Sequence, residues 1–228
     1  MSTIQAVVFD LDDTLYPERA FAFSGFDAVV ERFGQRLGWG PPEAARMRML
    51  FDSEQRATAF NAMLEESAVE PETHATLIAE MVAAYRQHSP RIALHADADR
   101  ALARLHGRYR LGIVSDGILG TQQAKIDALG LAARVDHVVL TDQWGRDHWK
   151  PDPRGFAHLA AELHVPHSSC IYVADNPTKD FIAPNRLGWR TVQIRRTDGI
   201  YAGLVAPSDG RPQATIDTLD DLDACLLG

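Results

Sequence analysis

Val7-Val8-Phe9-Asp10-Leu11-Asp12-Asp13-Thr14-Leu15 is the stretch from which the rest of the chain can be read. It extends an apolar run that begins at Ile4. An uninterrupted run of β-branched and aromatic residues predicts a strand, about Ile4 to Asp10, buried on both faces. The run stops abruptly at three aspartates. In open parallel sheets, ligands bind at the carboxyl ends of the strands. Asp10 and Asp12, two residues apart in extended chain, point to one side. Carboxylates placed side by side repel unless a cation or a shared proton relieves them. A hard divalent cation such as Mg²⁺ is the natural partner for such oxygens. The plainer reading is an acidic turn after a strand, which one aspartate would support. This pattern at this place favours a site.

The 228 residues suffice for one large domain or a domain with an insert, and 46% apolar content is ordinary for a globular core. A formal net charge of −8 argues against a nucleic-acid partner. Cys170 falls in an expected strand, and neither it nor Cys225 belongs to a metal-type cluster, so buried thiols in a reducing compartment are expected. There is no basic start followed by an apolar run, and no apolar stretch approaches ~18 residues. The expectation is a cytoplasmic protein without a membrane partner. The oligomeric state is left open.

After Leu15 the pattern changes. Phe23, Phe26, Val29, Val30, Phe33 and Leu37 recur at helical spacing up to Gly38. Pro41-Pro42-Glu43 starts a second helix, Ser53 is a candidate cap for a third carrying Met63 and Leu64, and Pro71 opens a fourth running to about His88. No strand is predicted between Tyr16 and Pro90, an all-helical insert of about seventy-five residues. From about Asp97 the chain alternates. Strands are expected at Arg110–Val114, Val135–Leu140, Cys170–Val173 and Arg190–Ile194. Helices are expected at Ala98–His106, Thr121–Leu129, Pro153–Leu163, up to Gly188, and at Leu219–Leu227. Alternation implies a parallel α/β sheet with right-handed crossovers. The expected fold is therefore a Rossmann-like parallel sheet flanked by helices, built from residues 1–15 and 91–228, with a helical domain at 16–90.

Three of these strands end in polar clusters: Asp10/Asp12, Ser115/Asp116 and Asp175/Asp180, and Lys150 follows another. A parallel sheet brings such ends to one edge. Carboxylates, a hydroxyl, a lysine and backbone amides at helix starts are a kit for holding a phosphoryl group. Taken in order, these motifs resemble those of the haloacid dehalogenase superfamily. Asp10-x-Asp12-x-Thr14 is similar to its first motif, Ser115 to the second, Lys150 to the third and Asp175 with Asp180 to the fourth. The insert is similar to the family's helical cap between the first and second motifs. Ala174 departs from the glycine common before the metal aspartate but removes no ligand.

The resemblance implies specific roles. Asp10 is the nucleophile that becomes a phosphoaspartate. Asp12 is the general acid, then the base that activates water. Asp10, the backbone carbonyl of Asp12, and Asp175 bind Mg²⁺. Ser115 and Lys150 hold the phosphoryl oxygens, with Asp116 and Gly117 contributing through the turn's backbone. Asp180, Thr14 and Asn176 support the site. Asp13 reads as a turn residue.

The implied function is a Mg²⁺-dependent phosphatase of small phosphate monoesters. The stretch Asp175-Asn176-Pro177-x-Lys179-Asp180-Phe181 resembles that of hydrolases linked with sugar metabolism, and the resemblance tilts the choice toward sugar phosphates. A phosphomutase of the same superfamily is the nearest alternative, and a phospho-accepting signalling module a more distant one. Asp12 argues against a 2-haloacid dehalogenase, which has no acid at that place. Ile113 in the first glycine position argues against a serine esterase at Val114-Ser115-Asp116-Gly117. The nine histidines show no metal spacing. Trp144 and Trp149 are expected to pack the loop around Lys150.

Overall fold

The computed structural model describes residues 3–227, which divide into two compact units, one of residues 3–18 and 93–227 and the other of residues 19–92. The larger unit is built on a six-stranded sheet. Its strands are β1 (Ala6–Phe9), β2 (Arg110–Ser115), β3 (His137–Leu140), β4 (Cys170–Ala174), β5 (Arg190–Ile194) and β6 (Ala214–Ile216). All neighbours pair in parallel, in the order β3-β2-β1-β4-β5-β6. The chain thus winds outward from β1 in one direction, then returns to β4 on its other side. The strand order reverses between β1 and β4, and a crevice opens there at the carboxyl ends.

Both strands at this switch point are buried at every residue, as the unbroken apolar run at Val7-Val8-Phe9 requires. Helices cover them: α5 (Ala96–Leu105), α6 (Leu119–Ala128), α7 (Arg154–Glu162), α8 (Ile182–Arg186) and α9 (Leu222–Leu226), numbered after the four helices of the smaller unit. On one side Phe156 of α7 meets Tyr172 edge-on at 4.8 Å and Trp189 at 5.5 Å. Each such buried aromatic contributes roughly 1.5–3 kcal/mol through lost apolar exposure. Gly112 in β2 lets α7 lie close, since a Cβ there would stand 2.8 Å from Leu159 Cδ2.

Arg196 follows β5 and locks the layers together. It donates to Asp97 at 2.7 Å and to the carbonyl of Thr14 at 2.7 Å. Asp97 also accepts from the Leu219 amide at 2.8 Å.

The smaller unit contains α1 (Glu18–Leu37, its first residue in the larger unit), α2 (Pro41–Phe51), α3 (Ala59–Glu65) and α4 (His74–Gln87), with no strand among its described residues. Its core is aromatic. Phe26 packs against Phe51, Phe60 and Tyr85 at centroid distances of 6.2, 6.1 and 5.6 Å. The buried Ser24 Oγ lies 2.6 Å from His88 Nε2, tying α1 to the end of α4.

Some details differ from expectation. Ser53 does not cap α3, which begins at Ala59 after a 3₁₀ turn; its hydroxyl donates to the Leu50 carbonyl at 2.8 Å instead. A serine one turn past a helix finds the orphan carbonyls of that helix before it finds the next one. β6 was not anticipated, because three residues at a sheet edge carry too little periodicity. The final helix is only Leu222–Leu226, preceded by a 3₁₀ turn.

Candidate active site

Asp10 leaves β1 as its backbone amide donates to the Val173 carbonyl of β4, so the carboxylate stands at the switch point. Lys150, in the segment after β3, reaches it at 2.5 Å, and also approaches Asp180 Oδ1 at 2.8 Å and Tyr172 Oη at 3.0 Å. The Lys150 side chain is 1% exposed. Asp175 ends β4 beside this pair. Asp10, Asp175 and Asp180 each offer an oxygen within 4.8 Å of the others, all three residues buried.

Such crowding has an electrostatic signature. Burial, then Asp180, push the Asp10 carboxyl up to about 7 despite Lys150. Burial, Asp180 and Asp10 raise Asp175 well above the carboxylate range. Burial opposes the charge on Lys150, yet Asp10 and Asp180 keep its ammonium strongly favoured. Asp175 Oδ2 is buried with no hydrogen-bond partner among the described residues. Hard oxygen donors, excess negative charge and an unsatisfied carboxylate oxygen fit a divalent metal. The residues present can hold one.

Asp12 lies two residues on in a different setting. Its side chain accepts from Lys125 Nζ at 2.7 Å and Gln122 Nε2 at 2.9 Å, and from the Tyr16 hydroxyl. Burial alone would raise its carboxyl, but Lys125 and these hydrogen bonds hold it below its ordinary value. The side-chain cluster suited to a metal contains Asp180 and not the Asp12 side chain.

A cavity of about 250 Å³ opens over these groups, lined in part by Asp10, Asp12, Asp116, Gly117, Asp175, Asn176 and Asp180. Most residues singled out in the sequence therefore meet here, over spans of more than a hundred positions. Ser115 and Lys150 are buried behind the lining. Thr14 is also buried, its Oγ1 without a hydrogen-bond partner among the described residues, while its carbonyl receives Arg196. Asn176 accepts from the Thr178 amide at 3.0 Å, and its own amide donates to Asp180 at 3.1 Å. Asp116 is tied down by Thr141, the Lys150 amide and Lys179 at 2.7, 3.0 and 2.7 Å. Asp13, with φ of 50°, accepts from the amides of Glu18 and Ile200, a turn residue's arrangement. Trp144 packs on the core, and Trp149 reaches the cavity while donating to Asp142 at 3.1 Å.

Lys125, Gln122, Tyr16 and Lys179 were not assigned from sequence. Gln122 and Lys125 are three apart, hence on one face of α6. Without the fold, that polar pair reads as a solvated face.

This topology, with carboxylates converging at its switch point, defines a Rossmann-like α/β protein with an acidic site. A model described as haloacid dehalogenase-like hydrolase matches residues 4–188, and the chain belongs to that family. The glyceraldehyde 3-phosphate phosphatase of Methanopyrus kandleri is 29% identical over 238 residues, covering 96% of this chain and 98% of its own. The ribulose-1,5-bisphosphate 5-phosphatase of Halopiger xanaduensis is 28% identical over 235 residues, covering 95% and 97%. Among solved structures, a putative HAD-hydrolase from Bacillus subtilis bound to magnesium superposes with a TM-score of 0.72 at 18% identity, covering 100% of both chains. A 2-haloacid dehalogenase from Pseudomonas syringae pv. Tomato gives 0.66 at 21% identity, covering 98% of both. These likenesses show the shared fold. No helix among the described residues is long and apolar enough to cross a membrane.

Proposed function

We propose that this protein is a Mg²⁺-dependent phosphatase that hydrolyses small phosphate monoesters, sugar phosphates foremost, through a phosphoaspartate on Asp10. It is a phosphoric monoester hydrolase of the haloacid dehalogenase-like family, whose matching relatives over nearly its full length are phosphatases. The observation that carries the mechanism is the pairing of two unlike carboxylates on one cavity. Asp10 sits among Lys150, Asp175 and Asp180, and Asp12 sits among donors. The preference for sugar phosphates rests on the substrates named for the two relatives.

In this reading Asp10 attacks phosphorus as its carboxylate, the phosphorus–oxygen ester bond breaks, and Asp12, protonated in the substrate complex, delivers that proton to the departing alkoxide. Asp12 then takes a proton from a water that attacks the phosphoaspartate, releasing phosphate and restoring the Asp10 carboxylate and the Asp12 proton. Lys150 offsets the charge on Asp10 during attack. Ser115, Lys150 and the turn at Asp116-Gly117 are assigned to the phosphoryl oxygens, with Thr14 and Asn176 shaping the loops that carry the two motifs. The metal would be held by Asp10, Asp175 and the Asp12 carbonyl, with Asp180 in support, and when bound it would neutralise charge on the phosphoryl group. The helical unit of residues 19–92 is assigned as the cap.

A phosphate-release screen over phosphorylated metabolites, run with Mg²⁺ and with EDTA, tests the reading. Free phosphate released only with the metal supports it. An isomerised phosphate ester as the product would make the protein a mutase, and metal-independent release at the same rate would refute the metal assignment.

A further inference from the structure

The mechanism just described uses Asp12 but not the three side chains that grip it. Lys125 and Gln122 come from one face of α6, and Tyr16 from the segment after β1. Lys125 and Tyr16 both donate to Asp12 Oδ1, while Gln122 donates to Oδ2. Gln122 also donates to Ser115 Oγ at 2.7 Å, so one amide nitrogen joins the residue assigned to protons and the residue assigned to phosphate. Gln122 and Lys125 are 2% and 5% exposed, although they line the cavity with Asp12.

Glutamine and lysine are seldom placed in a protein interior without a partner that requires them. Space for Gln122 is made by Gly117, whose φ is +127° and where a Cβ would stand 2.9 Å from Gln122 Cδ. The second-motif turn is therefore shaped around this side chain. A free Asp12 side chain would sample several rotamers, and a misplacement of about 1 Å can cost ~10²-fold in rate.

We propose that Lys125, Gln122 and Tyr16 are positioning residues that clamp the Asp12 carboxylate in the orientation needed for proton transfer, and that Gln122 keeps it in register with Ser115. The proposal rests on the phosphatase reading above. Lys125 and Tyr16 act on Asp12, and Gln122 on both Asp12 and Ser115, so loss of the Lys125 contact should matter most where Asp12 matters.

The test is a double-mutant cycle with two substrates. Lys125→Met, which keeps length and removes the donor, should lower kcat for an alkyl phosphate about 10–100-fold, within the ~10²–10⁴ attributable to a positioned proton donor. KM should move less than about threefold if binding is untouched. With p-nitrophenyl phosphate, whose leaving group needs no acid, the first turnover should survive as a burst. In an Asp12→Asn background, Lys125→Met should cost less than about twofold, the sign of a shared pathway. Lys125→Arg should recover part of the loss.

Tyr16→Phe, which removes only the hydroxyl, should give the same pattern, and serves alone if Lys125→Met does not fold; Gln122→Leu, which also frees Ser115, should in addition raise KM. Equal losses in the wild-type and Asp12→Asn backgrounds, or a loss confined to KM, would overturn the clamp. If Asp12→Asn itself leaves alkyl-phosphate turnover intact, the catalytic reading fails, which is a separate outcome.

Discussion

Asp10 and Asp12 stand two residues apart and face one cavity, yet their surroundings are opposite in sign. Asp10 shares its neighbourhood with Asp175 and Asp180, and its carboxyl is pushed up to about 7, first by burial and then by Asp180. Asp12 is also buried, but Lys125, Tyr16 and Gln122 hold it below its ordinary value. Burial is common to both, so it does not set the difference. The balance of the neighbours does: around Asp10 the carboxylates of Asp175 and Asp180 stand against Lys150, whereas Asp12 is held by donors. The unlike settings give the two carboxylates unlike proton affinities: Asp12, held as a carboxylate, is set to take a proton from water, and takes one up before it serves as the acid.

The largest expected effect breaks the Asp10 side of the comparison. Asp10→Asn is nearly isosteric but replaces a nucleophile with an amide, so phosphate release should fall to background while circular dichroism stays unchanged. Wild-type turnover in that variant would remove Asp10 from the role.

A smaller effect is expected on the other side. Asp12→Asn should slow an alkyl phosphate by about 10²–10⁴, the usual worth of a positioned acid or base. p-Nitrophenyl phosphate should still load Asp10, giving a burst of p-nitrophenol followed by slow turnover. Equal slowing of both substrates with no burst would make Asp12 structural.

The smallest effect, and the one that sharpens the contrast, is on stability in EDTA. Between its ordinary value of 3.8 and about 7, folded Asp10 keeps a proton that the unfolded chain has released. Stability therefore falls as pH rises through that window. Asp10→Asn should lift the melting temperature at pH 8, with the gain vanishing below about pH 4. Asp12 has the opposite sign. Its depressed value contributes stability above 3.8 that is lost as pH falls through the folded value. Asp12→Asn should thus melt lower near neutrality and match the wild type in acid. Shifts of several degrees are expected, at ~2–4 °C per kcal/mol for a chain of this size. Two variants shifting the same way would mean that the two environments are not opposed.

The amino-acid sequence by itself determined the parallel α/β core and the carboxylates at the ends of β1 and β4. Apolar runs long enough to be buried on both faces terminate in aspartates at Asp10 and Asp175, and a pattern local to a few residues survives without the fold. The sequence also placed Ser115 at the end of one strand and Lys150 in the loop after another, which parallel topology brings to one edge of the sheet. Only the tertiary structure decided what surrounds Asp12. Lys125 lies 113 positions from Asp12 and Gln122 110 positions. Polar residues on a helix face look the same in sequence whether they meet water or a buried carboxylate. Likewise Asp180 belongs beside Asp10 and Asp175 because the turn after β4 folds it back, with the Asn176 amide on its carboxylate. Strand and helix are encoded over a few residues, but the electrostatic sign of a site is the sum over neighbours that only chain folding brings together.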